Sequence, residues 1–287
     1  MHSLLVHLGD QIKSGQAIGK VNHYLEVKED SDLIVFGSSR ANHNLITDKL
    51  SINGFNMGVD GRSIAYAVSL IELLDDKKQV IILHLTPGNA FKPSYEAEDL
   101  DALLPFYSRF HSIKSELKRW GRTNFLNEIY HTSNFANLPL ALLKNAISPA
   151  YDYRFYNGYD PIYVSPEQQK IFARVLARNT DRTCDTDLEW NEIFKYYLNK
   201  LDYFCKENNK QLIILTSPEY RDYCNYDNNL FSELLSKRGI IYFDYTHYFG
   251  DDSALKYWKD LNHLSHEGAK IFTQKVKEDL SNKGIIK

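Results

Sequence analysis

The feature that most constrains the fold of this chain is a series of short apolar runs, each bounded by turn residues. The clearest runs are Leu33–Phe36, Val80–Leu85, Leu212–Leu215 and Ile240–Phe243, and Phe55–Met57 is a weaker one. Continuous runs rich in isoleucine, valine and leucine are typical of strands that are buried on both faces of a sheet. Burial on both faces is the usual situation of parallel strands. The runs therefore predict a parallel sheet.

Helical patterns lie between these runs. Residues Ile64–Leu74 and Leu188–Glu207 each place their apolar side chains on one face, and Ser265–Leu280 begins with a serine that can cap a helix. Strands that alternate with helices predict a three-layer α/β/α domain with a flavodoxin-like parallel sheet. In such a domain the ligand crevice lies at the carboxyl ends of the strands.

The region from about residue 91 to residue 187 interrupts this alternation. It has no clear buried strand, and it carries several aromatic helical patches. We expect it to form a mostly helical cap, inserted between the third and fourth strands. Residues 1–287 are then expected to form one domain.

Composition excludes several classes of protein. A net charge of −3 predicts no nucleic-acid or anionic-membrane partner. No apolar stretch reaches the roughly 18 residues that a membrane span needs. The three cysteines, Cys184, Cys205 and Cys224, lack the spacing of a zinc site, and we expect them to be free or to form at most one disulfide. No metal and no cofactor are expected, since no ligand cluster or phosphate-binding glycine motif is found.

The localisation has two possible readings. The start of the sequence, MHSLLVHLGDQIKSGQ, lacks the basic and apolar segments of a signal peptide. Either the protein is cytoplasmic, or it belongs to the cell envelope and its export segment or anchor is not in this sequence. The amino-acid sequence does not distinguish the two.

Residues of three chemical types suggest a catalytic centre. Gly37-Ser38-Ser39-Arg40 follows the first strand, and Asp260 and His263 stand just before the last helix. A carboxylate can fix the tautomer of an imidazole, which then serves as the general base for a serine hydroxyl, here Ser39 or Ser38. The alternative is an ordinary turn and a helix cap with a solvated histidine. The joint occurrence of both motifs favours the catalytic interpretation.

These motifs resemble those of a known family. GSSR at 37–40, NMGVDG at 56–61 and DLNHLSHEGA at 260–269 are similar to the first, second and fifth sequence blocks of the SGNH hydrolases, also called the GDSL esterase/lipase superfamily. The resemblance implies that Ser39 is the nucleophile, with His263 as base and Asp260 as its partner. It also implies an oxyanion hole that includes the backbone amides of Ser39 and Gly58. It covers roughly residues 32–90 and 210–280.

The sequence differs from the family pattern at the third block. The family has an asparagine after the third strand as an oxyanion-hole donor, and this chain has LTPGNAF there, with Asn89 as the candidate. An ordinary Pro-Gly-Asn turn explains Asn89 equally well. Without that donor, we expect a slow enzyme or one that is completed by a partner, such as a membrane-bound acyl-transfer protein.

Other residues near the motifs are expected either to contact the substrate or to support the structure. Arg40 either binds a substrate anion or braces a neighbouring loop through an ion pair. Pro218 and Glu219 follow the fourth strand and are expected to contact the substrate. The remaining residues near the motifs are expected to be structural: His43 and His266 on helix surfaces, and Asp60 as a turn or cap residue.

The resemblance implies a serine esterase that forms an acyl-enzyme and acts on O-acyl, for instance acetyl, esters of carbohydrate. The GSSR variant resembles envelope-associated branches of the superfamily. An O-acyltransferase that modifies an envelope polysaccharide is therefore an alternative. The other alternative is a non-catalytic carbohydrate-binding protein on the same scaffold, which the altered third block favours.

Overall fold

The computed structural model describes residues 9, 12, 15–124, 156–178, 184–222, 224–250 and 254–286. Its centre is a sheet of five strands that are all parallel, in the order β2-β1-β3-β4-β5, which is the flavodoxin-like order. The strands are β1 (Leu33–Phe36), β2 (Gly54–Asn56), β3 (Gln79–His84), β4 (Lys210–Thr216) and β5 (Ile241–Asp244). The predicted parallel sheet is confirmed.

Helices cover both faces of the sheet. They are α1 (Lys20–Val27), α2 (Ser39–Asn44), α3 (Thr47–Leu50), α4 (Ile64–Ile71), α5 (His111–Arg119), α6 (Pro166–Arg178), α7 (Glu192–Glu207), α8 (Asn225–Lys237) and α9 (His266–Asn282). Ser265 caps α9 as predicted, because its side chain accepts a hydrogen bond of 3.2 Å from the Gly268 amide. The three predicted helices are α4, α7 and α9.

The period of two along each strand divides the core into two halves. Leu33 and Val35 of β1 face one cluster of buried side chains, which includes residues of α2, α3, α6 and α9. Ile34 and Phe36 face the other cluster, with residues of α1, α4, α5, α7 and α8. This alternation is the reason that β1 reads as a continuous apolar run: both of its faces are covered.

The predicted insertion is described only in part. Its described residues form two 3₁₀ segments, Pro87–Phe91 and Glu98–Phe106, together with α5 and α6, and they contain no strand. They pack on the same cores as the rest of the chain, since Leu103 belongs to one cluster and Phe172 to the other. Residues 125–155 and 179–183 lie outside the described residues. The mostly helical cap and the single domain stay predictions.

The cysteines form one pair. Cys184 and Cys224 are joined by a disulfide, which links the segment before α7 to the residue before α8. Cys205 is a buried free thiol on α7, so the prediction of at most one disulfide is confirmed. Within the described part of the chain, no helix combines the length and the apolar character that crossing a bilayer requires.

Candidate active site

The turn between β1 and α2 positions the predicted nucleophile. Gly37 has φ of 142°, a conformation that favours glycine, and a Cβ atom there would lie 2.8 Å from the carbonyl oxygen of His84. The chain therefore reverses tightly over β3 and starts α2 at Ser39. As a result, the half-buried Ser39 side chain lies at the carboxyl edge of the sheet, just beyond the end of β1.

The loop before α9, residues 259–265, is shaped by its own hydrogen bonds. The Asp260 carboxylate accepts from the backbone amides of Asn262 at 2.9 Å and of His263 at 3.0 Å. The Lys259 amide donates to the carbonyl of His263 at 2.9 Å. We call residues 259–265 the catalytic loop, because they include the predicted catalytic residues Asp260 and His263. Its internal contacts hold the Asp260 carboxylate and the His263 ring on the same side.

The structure joins the three predicted catalytic residues in one hydrogen-bonded chain. His263 Nε2 lies 2.7 Å from Ser39 Oγ, across a separation of 224 residues in sequence. His263 Nδ1 lies 2.9 and 3.0 Å from the two carboxylate oxygens of Asp260. Burial alone would raise the pKa of Asp260, but the hydrogen bonds from the His263 ring and the loop amides hold that pKa below its ordinary value. The carboxylate is thus an acceptor for Nδ1–H, which leaves Nε2 as the acceptor for the serine proton.

Asn44 joins helix α2, which carries Ser39, to the catalytic loop, which carries Asp260 and His263. Asn44 was not identified from the sequence. From the end of α2, its Oδ1 accepts from the Leu264 amide at 2.9 Å, and its Nδ2 donates to the Asn262 carbonyl at 3.3 Å. The side chain is fully buried. The signal for it is the composition of α2, SRANHN, which is almost entirely polar although the helix is buried. A buried helix of that composition must use its side chains for polar contacts.

The two backbone amides that were predicted as oxyanion-hole donors differ in whether they already have a hydrogen-bond acceptor. Among the described residues, the Ser39 amide has no hydrogen-bond acceptor. The Gly58 amide does have one, because it donates to Asn56 Oδ1 at 2.8 Å. Asn56 is oriented in this way because its Nδ2 donates to the carbonyls of Ala41 and Leu45, each at 2.8 Å. Gly58 was predicted to offer a free donor, and the structure instead gives its amide a protein partner.

Asn89 lies in the 3₁₀ segment Pro87–Phe91 and is exposed. Its amide donates to the Thr86 carbonyl at 3.0 Å, and its side chain makes no hydrogen bond within the described ranges. The neighbouring Gly88 faces Asp227 of α8. The structure thus shows the Pro-Gly-Asn turn, which was the alternative reading, and shows no contact between Asn89 and the Ser39–His263 pair.

Arg40 follows the second of its two expected roles. Its buried guanidinium forms an ion pair with Glu219 and donates to the Ser217 carbonyl. It also donates to Ser217 Oγ at 3.0 Å and to Thr86 Oγ1 at 3.3 Å. These contacts brace the ends of β3 and β4 beneath the nucleophile. They occupy Arg40 and Glu219, and Pro218 is buried, while the predicted contact of these residues with a substrate stays a prediction.

A buried histidine completes this brace. His84 Nε2, at the end of β3, accepts from the Ser217 amide at 3.1 Å and lies 3.0 Å from Ser217 Oγ. Burial, with the nearby charge of Arg40, lowers the pKa of His84 well below its ordinary value. His84 is therefore a neutral acceptor, and the positive charge of the brace is carried by Arg40.

A second imidazole–carboxylate pair lies beside the first. His43 was expected on a helix surface, and this prediction is wrong: the residue is only 8% exposed, because residues 56–60 and 156–163 pack over α2. Its Nδ1 donates to the Asp160 carbonyl at 2.7 Å, and its Nε2 lies 3.2 Å from an Asp60 carboxylate oxygen. The His43 and His263 rings meet edge to face, with their centres 5.9 Å apart.

His266, also expected on a surface, is half-buried against the hydroxyl of Tyr159.

The contacts of the second pair favour its charged form. Burial alone would lower the pKa of His43, but the Asp60 carboxylate and the Asp160 carbonyl raise it above its ordinary value. Burial alone would raise the pKa of Asp60, but His43 and Asn42 hold it well below its ordinary value. The predicted turn-or-cap role of Asp60 is thus replaced by an ion pair with His43.

A buried lysine supports the same region from below. The Nζ of Lys20 donates to Asn42 Oδ1 at 2.7 Å and to the Gly58 carbonyl. Burial lowers the pKa of Lys20 to about 7, against the opposing charges of Asp160 and Asp60. Lys20 therefore fixes both α2 and the Gly58 segment that packs on it.

Comparisons with models of protein families and with curated proteins give no match to this chain. Within the described ranges, no group of three or more histidine, cysteine, aspartate or glutamate side chains is arranged to hold a metal ion.

Proposed function

We propose that this chain is a serine ester hydrolase of the SGNH type that works through an acyl-enzyme. The observation that carries the proposal is the continuous chain of hydrogen bonds from Ser39 Oγ through His263 to Asp260, with distances of 2.7 to 3.0 Å. A serine, an imidazole and a carboxylate in that order are the arrangement that activates a hydroxyl nucleophile near neutral pH.

The proposed reaction has two halves. His263 Nε2 takes the proton of Ser39 as Oγ attacks the ester carbonyl, and the protonated ring then gives that proton to the departing alcohol. The product of this half is an acyl group on Ser39. In the second half His263 activates water, which attacks the acyl carbonyl and releases the acid. Asp260 holds the ring in the required tautomer and stabilises its protonated form.

The oxyanion is expected to bind first at the Ser39 amide, since that donor has no acceptor among the described residues. The Gly58 amide contributes only if it leaves Asn56 Oδ1. A missing donor costs about 2.7–4 kcal/mol of transition-state stabilisation in other serine hydrolases. We therefore expect slow turnover, with the carbonyl oxygen held by fewer donors than usual.

The substrate class that we propose is an O-acyl ester of a carbohydrate, with acetyl as the simplest acyl group. The resemblance of the GSSR motif to envelope-associated SGNH branches supports it. The Cys184–Cys224 disulfide also supports a location in the cell envelope, because disulfides form and persist in oxidising compartments.

The test of the proposed function is Ser39→Ala assayed with an aryl acetate. We expect at least about a 10,000-fold loss of kcat with an unchanged fold, since no other described hydroxyl contacts His263 Nε2. Ser38→Ala is the matched control: the Ser38 hydroxyl accepts only a weak bond of 3.4 Å from the Arg40 amide, and its loss should change kcat by less than about tenfold. Undiminished turnover in Ser39→Ala would rule out the assignment.

The short set of oxyanion donors also favours a second candidate, an O-acyltransferase that a partner protein completes. The acyl-enzyme is the same, and a sugar hydroxyl replaces water in the second half of the reaction. Product analysis in the presence of an oligosaccharide acceptor separates the two. An acylated oligosaccharide as the main product indicates a transferase, and free acid as the main product indicates a hydrolase.

A further inference from the structure

Helix α6 divides its apolar residues between the core and solvent. Phe172 and Leu176 are buried in the core cluster that also contains residues of α9. Ile171 and Val175, also four residues apart, are 58% and 47% exposed. Residues at this spacing form one stripe along a helix. Packing of α6 on the core accounts for the first pair and does not account for the second.

The exposed pair faces the catalytic loop across a groove of about 580 Å³. The groove is lined from α6 by Ile171, Phe172 and Val175, and from the catalytic loop by Asp260, Leu261 and His263. Polar residues lie elsewhere along its lining, namely Gln168, Lys259 and Asn262. The groove is therefore an apolar surface that is continuous with the general base.

We propose that this groove binds an apolar chain of the ester substrate; this rests on the proposed function. The chemical link is His263, which lines the groove and also lies 2.7 Å from Ser39 Oγ. An ester carbonyl that is attacked by Ser39 therefore lies next to His263, which is part of the groove lining. A chain of several carbons attached to that carbonyl, or to its alcohol oxygen, can cover Ile171 and Val175 and remove their side chains from water.

This inference adds to the proposed function, because it sets the substrate preference. An acetyl group has one methyl group and fills little of a groove of about 580 Å³. Added methylenes that enter an apolar site raise kcat/KM, and each methylene raises it by about tenfold or more when it is fully enclosed. We expect the site to prefer esters of about six to eight carbons over acetate esters.

The experiment compares p-nitrophenyl octanoate with p-nitrophenyl acetate. The wild-type protein is set against the double variant Ile171→Gln/Val175→Gln and the control Ile271→Gln. Ile271 is also a helical isoleucine, 37% exposed, but it lies on α9 and outside the groove. In the double variant we expect the octanoate-to-acetate ratio of kcat/KM to fall by at least about tenfold, with acetate turnover within about twofold of wild type. In Ile271→Gln the ratio should not change.

Two substrate series identify which side of the ester carries the chain. One series varies the acyl group of p-nitrophenyl esters, and the other varies the alcohol of alkyl acetates. A chain-length preference in either series that the double variant removes supports the proposal. A wild-type protein that shows no preference for longer chains in either series, or an unchanged ratio in the double variant, overturns it. Failure of the proposed function is a different result: no turnover of any ester, with or without the groove substitutions.

Discussion

Two imidazole–carboxylate pairs lie side by side in this molecule, and they differ in their hydrogen-bond partners. His263 with Asp260 and His43 with Asp60 each pair a ring nitrogen with a carboxylate, and the two rings are 5.9 Å apart. His43 is one helical turn after Ser39 on α2, so both rings lie close to the nucleophile. Residue types alone do not distinguish the two pairs.

The difference is the partner of the second ring nitrogen. In His263 that nitrogen, Nε2, meets a hydroxyl that can donate to it. In His43 the second nitrogen, Nδ1, meets the carbonyl oxygen of Asp160, which can only accept. An imidazole that faces an acceptor on each side can donate to both only when it carries two protons, whereas one that faces a carboxylate and a hydroxyl can donate to the first and accept from the second. The first arrangement suits a structural ion pair, and the second suits a general base.

The largest expected difference between the pairs is in kcat. We expect His263→Gln to lower kcat for an aryl ester by at least about 1,000-fold, because the base is lost. His43→Gln should lower kcat by less than about tenfold, because glutamine can still donate to Asp60 and the edge-to-face contact with His263 is the only described contact with the Ser39–His263–Asp260 chain that changes. Steady-state kinetics on both variants measures this. Equal losses would mean that His43 takes part in the reaction.

The two carboxylates give the next largest difference. Asp260→Asn should lower kcat by about 1,000- to 10,000-fold, because an amide stabilises the wrong tautomer of His263. Asp60→Asn should change kcat by less than about tenfold, since no described contact joins Asp60 to Ser39 or His263. The same assay serves for both. A large loss in Asp60→Asn together with a small loss in Asp260→Asn would reverse the assignment of the two pairs.

Arg40 lies on α2 between Ser39 and His43, and its contribution is expected in the free energy of unfolding. Arg40→Met should lower the free energy of unfolding by about 3 kcal/mol, because it leaves the Glu219 carboxylate and Ser217 without their buried partner. The control is Lys195→Met, which removes an exposed ion pair with Glu192 and should cost less than about 1 kcal/mol. Denaturant unfolding at neutral pH measures both. An Arg40→Met protein as stable as Lys195→Met would show that the brace contributes little.

The pH dependence of stability should show the smallest effect. The pKa of His43 is raised on folding, so its pair with Asp60 stabilises the fold fully below the unfolded pKa of about 6.5. That contribution is lost as the pH rises through the folded pKa of His43. The unfolding free energies of wild type and His43→Gln should therefore differ most near pH 5 to 6 and should converge in alkaline solution. A difference that grows with pH would contradict the charged state of His43.

Local patterns were sufficient to predict the elements that carry the site. The apolar run of β1 is covered on both faces, and Ser265 caps α9, so each was visible in a few consecutive residues. The meeting of Ser39 with His263 followed from two motifs at the ends of one parallel sheet. Parallel strands present their carboxyl ends at a single edge, which brings distant segments together.

Contacts between segments account for what sequence reasoning missed. The burial of His43 requires residues 56–60 and 156–163 to pack over α2, and the bond from the Gly58 amide to Asn56 requires Asn56 to reach two carbonyls of that helix. Asn44 likewise acts only where α2 meets the catalytic loop. No spacing within a single segment encodes these contacts, because each depends on the side of the helix that another segment covers.

The most direct test of the account is labelling by a serine-directed fluorophosphonate, followed by intact-protein mass spectrometry and peptide mapping. We predict one label, on Ser39, which is lost in Ser39→Ala, strongly slowed in His263→Gln and nearly unchanged in His43→Gln. Absence of labelling on the folded wild-type protein would contradict it and would favour a carbohydrate-binding protein on this scaffold. Labelling that His263→Gln does not slow would show that Ser39 is not activated by His263.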